Sequence, residues 1–234
     1  MKWTFGIITD GNAEENIRKI HKSILNQNID DDFEIIVVGG RNLNLKNMLH
    51  VPFDETIKRA WITKKKNIIS QLSKYDNICM MHDYVILFNG WYENYKNFDQ
   101  EWDVCMNPVI NQDSQRFRDW ITWPEWCDEG RLIFLDYNTK DRTKQMYISG
   151  TYFCVKKVFM LNNPLDESLS WGQGEDVEWC GRIRDKWIYK CNNNSEVGLL
   201  KNKQNDHWYD STNTSMRESW DKQKYLEIWR NVND

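Results

Sequence analysis

From residue 3 to residue 87 the sequence alternates apolar, β-branched runs with segments of helical spacing, and this alternation restricts the fold more than any other feature. Residues 3–10 (WTFGIITD) stop at Gly11, and residues 33–40 (FEIIVVGG) end in two glycines; both read as strands. Between them Ile17, Ile20, Ile24 and Leu25 recur on one helical face, with a capping Asn12 or Asn16, acids early and bases late. Residues 60–75 repeat the helical spacing, and residues 77–87 (NICMMHDYVIL) form a third apolar run with polar residues towards its carboxyl end. Strand, helix, strand, helix, strand predicts an α/β fold: a mostly parallel central sheet, right-handed crossovers and flanking helices. In such sheets ligands gather beyond the carboxyl ends of the strands.

The second half reads differently. Residues 101–110 read as a strand, and residues 111–146 are polar, Trp-rich and irregular. Residues 146–160 run from strand to helix, and residues 174–187 are helical. Residues 189–193 and 197–201 are strand-like. Met216, Trp220, Tyr225, Leu226 and Trp229 give residues 214–231 the spacing of a closing amphipathic helix. No repeat, low-complexity tract or Pro/Gly linker divides the 234 residues. One domain is expected, with a ligand-binding half over 1–110 and a mixed half over 111–234.

Composition narrows the function classes. Hydrophobic residues at 40% and charged residues at 28% describe a globular chain, and a net charge of −4 leaves no basic field to recruit nucleic acid. Thirteen Trp, ten Tyr and nine Phe imply a large aromatic core. An excess of Trp also suits a sugar-binding cleft, where pyranose C–H faces pack on flat rings. The six cysteines form no C-x-x-C pair, and Cys79 and Cys154 lie in apolar runs, as reduced buried thiols do. The start MKWTFGIITDGN lacks the form of a signal peptide, and no apolar run is long enough to span a membrane. A cytoplasmic chain is expected, with the glycosylation patterns at Asn193 and Asn213 arising by chance.

Four constellations could carry chemistry. Asp83, with His82 beside it, ends an apolar strand; it is either a ligand for a hard divalent cation or a turn residue capping the next element. Trp171-Gly172-Gln173-Gly174-Glu175-Asp176 brings two glycines and two acids to the start of a helix. These acids are either a base and its partner or an ordinary acidic cap. His207 is either a ligand or a bystander. Lys64, Lys65 and Lys66 either approach a diphosphate or form a solvated helix face. In the irregular segment Arg116, Arg118, Asp119 and Trp120 either contact an acceptor or are solvated surface.

Taken in order, these segments resemble the GT-A (Rossmann-like) glycosyltransferases over nearly the whole chain. Residues 4–40 are similar to the nucleotide-binding start of family-2-like members. KKKN at 64–67 falls where many members carry Ala-Arg-Asn, MMHDYVIL at 80–87 falls at the Asp-x-Asp metal motif, and SLSWGQGEDVEW at 168–179 resembles the Trp-Gly-x-Gly-Glu-Asp segment of inverting β-1,4-galactosyltransferases. The sequence departs from the pattern at Gly39-Gly40, where an acid usually reads the base, and at His82, where the metal motif usually has its first acid.

The resemblance implies a hexosyltransferase-like enzyme that moves a sugar from a nucleotide diphosphate donor, UDP favoured, to an acceptor hydroxyl. The reaction would invert and depend on Mn2+ or Mg2+. Asp176 would be the base, with Glu175 holding a hydroxyl. Asp83 and His207 would hold the metal. Thr9, Asp10, Lys65, Lys66, His82, Gly150, Trp171 and Gly174 would surround the donor. The rivals are a retaining transferase, a nucleotidyltransferase and a non-catalytic sugar-binding module. A nucleotidyltransferase usually has a Gly-rich first loop with a Lys, which TDGNAEEN does not supply.

Overall fold

The computed structural model describes residues 1–122 and 133–203. The chain forms, in order, β1 (Trp3–Ile8), α1 (Glu14–Leu25), β2 (Phe33–Val38), β3 (Met48–Val51), α2 (Ile62–Leu72), β4 (Asn77–His82), β5 (Val85–Leu87), α3 (Trp91–Lys96), β6 (Val104–Met106) and β7 (Val109–Ile110). There follow β8 (Ile121–Thr122), β9 (Ile133–Phe134), β10 (Met146–Tyr147), β11 (Tyr152–Lys156), α4 (Lys157–Asn162), α5 (Glu175–Ile183), β12 (Tyr189–Cys191) and β13 (Val197–Leu199).

The central sheet has the order β12-β6-β11-β4-β1-β2-β3. β1 pairs in parallel with β2 and β4, β2 with β3, and β6 with β12, while β11 runs antiparallel to both β4 and β6. This is the mostly parallel α/β sheet that the alternation predicts. Because helices and small sheets cover it, β1 is buried along its whole length, which explains its unbroken apolar run. Gly6 lets α2 lie close on β1; a Cβ there would overlap the Ile69 side chain.

Two apolar runs that read as single strands are broken in the structure. Residues 77–87 turn at Asp83 and Tyr84, so that β4 stays in the central sheet while β5 joins a small sheet of order β5-β13-β7. Residues 101–110 break before Pro108, which cannot donate to a ladder, and β7 joins the same small sheet. Both sheets bury their strands, so hydrophobicity alone does not mark the change. β3 was not expected, and its residues are half-buried or exposed, as suits an edge strand. α1 starts after Ala13 with no side-chain cap, rather than at Asn12 or Asn16. The expected closing helix over 214–231 lies outside the described residues.

The described tryptophans are mostly core. Trp3, Trp91 and Tyr95 are fully buried, with ring centroids 4.8 Å and 4.9 Å from Trp3. Cys79, Cys105, Cys154 and Cys180 are buried and reduced. No described helix is long and apolar enough to cross a membrane.

At the carboxyl ends of β1 and β2 the two backbones meet. Gly39 has φ +99°, and a Cβ there would overlap the Thr9 carbonyl. Gly39→Ala therefore combines a left-handed strain with a backbone overlap. It is expected to lower stability by about 2 kcal/mol or more, read as a fall in the urea midpoint; an unchanged midpoint would show that the two strand ends are not packed as described.

Candidate active site

A cleft of about 420 Å³ opens beyond the carboxyl end of β4. Its walls come from His82 and Tyr84, from Phe117 and Arg118, from Tyr147 and residues 149–151, from Trp171 to the first turn of α5, and from Lys203 after β13. These residues lie far apart in sequence and meet because their strands and helix end at one edge of the sheet.

One wall is built around Gly150. Its N–H donates to Asp176 Oδ2 at 2.8 Å, and its carbonyl accepts from Lys66 Nζ at 2.6 Å. A Cβ on Gly150 would stand 3.0 Å from Glu175 Oε1 and 3.1 Å from Lys66 Nζ, so any larger residue would press on both groups. Lys66 is 2% exposed, and burial pulls its pKa down while Glu175 and Asp176 oppose that shift. Glu175 is buried as well, and burial, then the charge of Asp176, raises its pKa. Asp176 Oδ1 accepts the Val177 N–H at 2.9 Å. Each Asp176 oxygen thus holds one backbone N–H and keeps a lone pair for a ligand hydroxyl.

Gly172 and Gly174 have φ values of +81° and +72°, and nothing lies within 4 Å of where their Cβ atoms would be. They are needed for the left-handed turns that bring the chain into α5, not for a close approach. Gly174 is the cap residue of α5, without a side-chain cap, so Glu175, Asp176 and Glu178 stand in a first turn whose dipole favours negative charge. Trp171, before this turn, is 64% exposed at the cleft wall.

The other part is the end of β1 against the β4–β5 turn. Thr9 Oγ1 donates to Asp83 Oδ2 at 2.7 Å and accepts the Gly11 N–H at 3.1 Å. Lys65 Nζ donates to the Thr9 carbonyl at 2.7 Å, ion-pairs with Glu55 and lies over the Phe53 ring. Asp10 Oδ1 accepts the Asn12 N–H, which holds its pKa down. Burial raises the Asp83 pKa, and the charge of Asp10 adds to that, partly offset by the Thr9 hydrogen bond and by Lys201 and Lys65. His82 is held neutral by burial and by the surrounding lysines, Lys66 foremost.

The comparisons give the architecture its family of folds. No family model matches the sequence, and no curated protein matches it. Among solved structures the chain superposes on S. aureus TarS 1–349 with UDP at a TM-score of 0.57, with 12% identity over 99% of this chain and 64% of that one. It superposes on GalNAc-T7 with UDP, GalNAc and Mn2+ at 0.60, with 13% identity over 98% of this chain and 48% of that one. It also superposes on the inositol-1-phosphate CTP transferase of T. maritima at 0.53, with 12% identity over 99% and 96%. The fold is GT-A. At such identities the likeness carries the fold alone, and the chain spans 64% of TarS 1–349 and 39% of the longer TarS chain.

Within this fold several expectations need correction. Lys65 and Lys66 are not a solvated face; each is 2% exposed, with its ammonium on a backbone carbonyl beneath the cleft. Arg116, Asp119 and Trp120 are 5%, 0% and 1% exposed, so they do not face an acceptor. Arg116 Nη2 donates to Asp119 Oδ1 at 2.6 Å and its Nη1 to the Leu135 carbonyl, the Tyr137 hydroxyl donates to Asp119 Oδ2, and Trp120 Nε1 donates to the Thr139 carbonyl. Opposite charges three residues apart neutralise one another inside, a pairing that a polar sequence does not distinguish from solvated surface. Of these four, Arg118 lines the cleft. His207 lies outside the described residues. Tyr84, Ser149, Thr151 and Lys203 line the cleft without having been singled out. Lys203 was within reach, since it follows the short apolar run that becomes β13.

Among the described residues no three His, Cys, Asp or Glu side chains converge as a metal site. Asp83 offers a hard oxygen that is desolvated by burial and faces the charge of Asp10, a donor of the kind a divalent cation shares with phosphate and water.

The raised Asp83 pKa fixes the sign of a pH effect. Ionising a carboxyl whose folded pKa is raised costs stability; the cost grows as pH rises above the ordinary value of 3.8 and is complete above the folded pKa. Asp83→Asn, whose amide oxygen can still accept from Thr9, is expected to melt higher than the parent at pH 7, the gain fading towards acid pH. A lower melting temperature at pH 7 would contradict a desolvated carboxylate.

Proposed function

We propose that the protein is a glycosyltransferase that moves a sugar from a nucleoside diphosphate donor, UDP favoured, to an acceptor hydroxyl with inversion. The observation that carries this is the pair Glu175 and Asp176 at the start of α5, lining the cleft beside exposed Trp171, with Asp176 accepting the Gly150 N–H. A sugar hydroxyl is a weak nucleophile at neutral pH, so its proton must leave as the new bond forms. Asp176 takes that proton, and Glu175 holds a second hydroxyl. Trp171 packs on a sugar face. Thr9 and Asp10 contact the nucleoside, with His82 and Gly150 beside the donor. The UDP in the TarS and GalNAc-T7 structures supports the donor class. A divalent cation on Asp83 would neutralise charge developing on the leaving diphosphate, as Mn2+ in the GalNAc-T7 structure suggests.

A second reading has one observation in its favour. The chain spans 96% of the T. maritima inositol-1-phosphate CTP transferase, so a nucleotidyl transfer to a phosphorylated alcohol is the alternative. The two reactions leave different products, a nucleoside diphosphate in one and pyrophosphate in the other.

Two expectations test the proposal. UDP with Mn2+ should raise the melting temperature of the parent, and Asp83→Ala should remove the Mn2+-dependent part; equal stabilisation of both would take Asp83 out of the metal site. In a transfer assay with nucleotide sugars, Asp176→Asn should keep donor binding and lose turnover by about 100-fold or more. Near-normal turnover there with an inactive Glu175→Gln would move the base to Glu175. Retention at the anomeric carbon, or pyrophosphate release from a nucleoside triphosphate and a sugar phosphate, would overturn the inverting transferase.

A further inference from the structure

The family resemblance places Lys66 beside the donor, but its ammonium is buried beneath the cleft, on the Gly150 carbonyl. The Cβ position of Gly150 lies 3.1 Å from Lys66 Nζ and 3.0 Å from Glu175 Oε1, so the two groups face each other across roughly 6 Å at most, near enough for opposite charges to support each other. Resting on the transferase reading of this cleft, we propose that Lys66 is a positioning residue for the transfer: it keeps Glu175 ionised at neutral pH, as an acceptor for a sugar hydroxyl, and fixes Gly150, whose N–H orients Asp176.

The two acids are held in different ways. Asp176 accepts the Gly150 and Val177 N–H groups directly, and such bonds stabilise its anion. Glu175 is 6% exposed, and among the described residues no side chain donates to its carboxylate. Its charge therefore depends on partners acting through space. Asp176 opposes its ionisation, while Lys66, and after it Lys203, favour it; the Tyr84 hydroxyl on the same cleft is neutral. Lys66 in turn is faced from α5 by Glu175, Asp176 and the Cys180 thiol, and from the end of β4 by His82, which is neutral and adds no charge. Without the ammonium, burial and Asp176 would act on Glu175 with little to oppose them. A protonated Glu175 would present an O–H donor and lose part of its capacity to accept.

The test follows the Glu175 carboxyl directly, by NMR of the full chain carrying labelled glutamate carboxyl carbons, with the resonance assigned by its loss in Glu175→Gln. Lys66→Met, which keeps a long side chain without the charge, should raise the Glu175 titration midpoint by about one pH unit or more, and Lys66→Arg should leave it near the parent value. In the transfer assay the acid limb of kcat/KM should move to higher pH in Lys66→Met by a matching amount. A purely structural defect would lower the rate at every pH and leave the midpoint in place. Should Lys66→Met not fold, the coupling is read from its other side: Glu175→Gln should lower the midpoint of the Lys66 ammonium, followed at its labelled side-chain carbon, because coupling between two sites is reciprocal. An unchanged Glu175 midpoint in folded Lys66→Met, or an unchanged Lys66 midpoint in Glu175→Gln, overturns the proposal. A shifted midpoint in a protein that transfers no sugar from any nucleotide donor would sink the transferase reading, and the catalytic role with it, while the Lys66–Glu175 coupling stood.

Discussion

The cleft depends on the buried ammonium of Lys66. It reaches from α2 to the Gly150 carbonyl, just before β11, and lies over the Phe153 ring at 5.5 Å. Burial lowers its pKa, and the charges of Glu175 and Asp176 oppose that shift. One cation thus ties a crossover helix, the antiparallel strand of the central sheet and the start of α5 into a single junction. A buried pair of this kind adds little stability over an apolar substitute, but it specifies geometry, and the geometry here faces the cleft.

Charged groups of both signs meet at the site. Glu175, Asp176, Arg118 and Lys203 line the cleft, and Asp83 sits in the β4–β5 turn against the end of β1. The carboxylates Asp83 and Glu175 are both desolvated, which raises their pKa values and costs the folded chain stability. Costs of this kind are often found where a site must bind charge. The backbone around them is tightly held: Lys65 secures Thr9, Thr9 holds Asp83, and Gly150 holds Asp176.

The first half of the fold was legible because strands buried on both faces are apolar along their length and the intervening helices have a clear face. The break at Asp83 and Tyr84 was not, since β4 and β5 are both buried and apolar although they belong to different sheets. The Gly-Glu-Asp corner was legible as chemistry, but the reason for its glycines was not: it lies in backbone angles, with open space at their Cβ positions. Arg116 and Asp119 read as surface because no sequence rule reports that a nearby acid and base have turned inward on each other.

By itself the sequence determined the parallel sheet and the helix start that carries Glu175 and Asp176, because periodicity and local turn chemistry act over a few residues. Tertiary structure alone decided which residues share the cleft. Lys66 and Gly150 are 84 residues apart, Tyr84 and Lys203 are 119 apart, and each pair meets only because distant elements end at one edge of the sheet. It also decided that Lys65, Lys66, Arg116 and Asp119 are buried, since the burial of a charge depends on partners that the fold brings together.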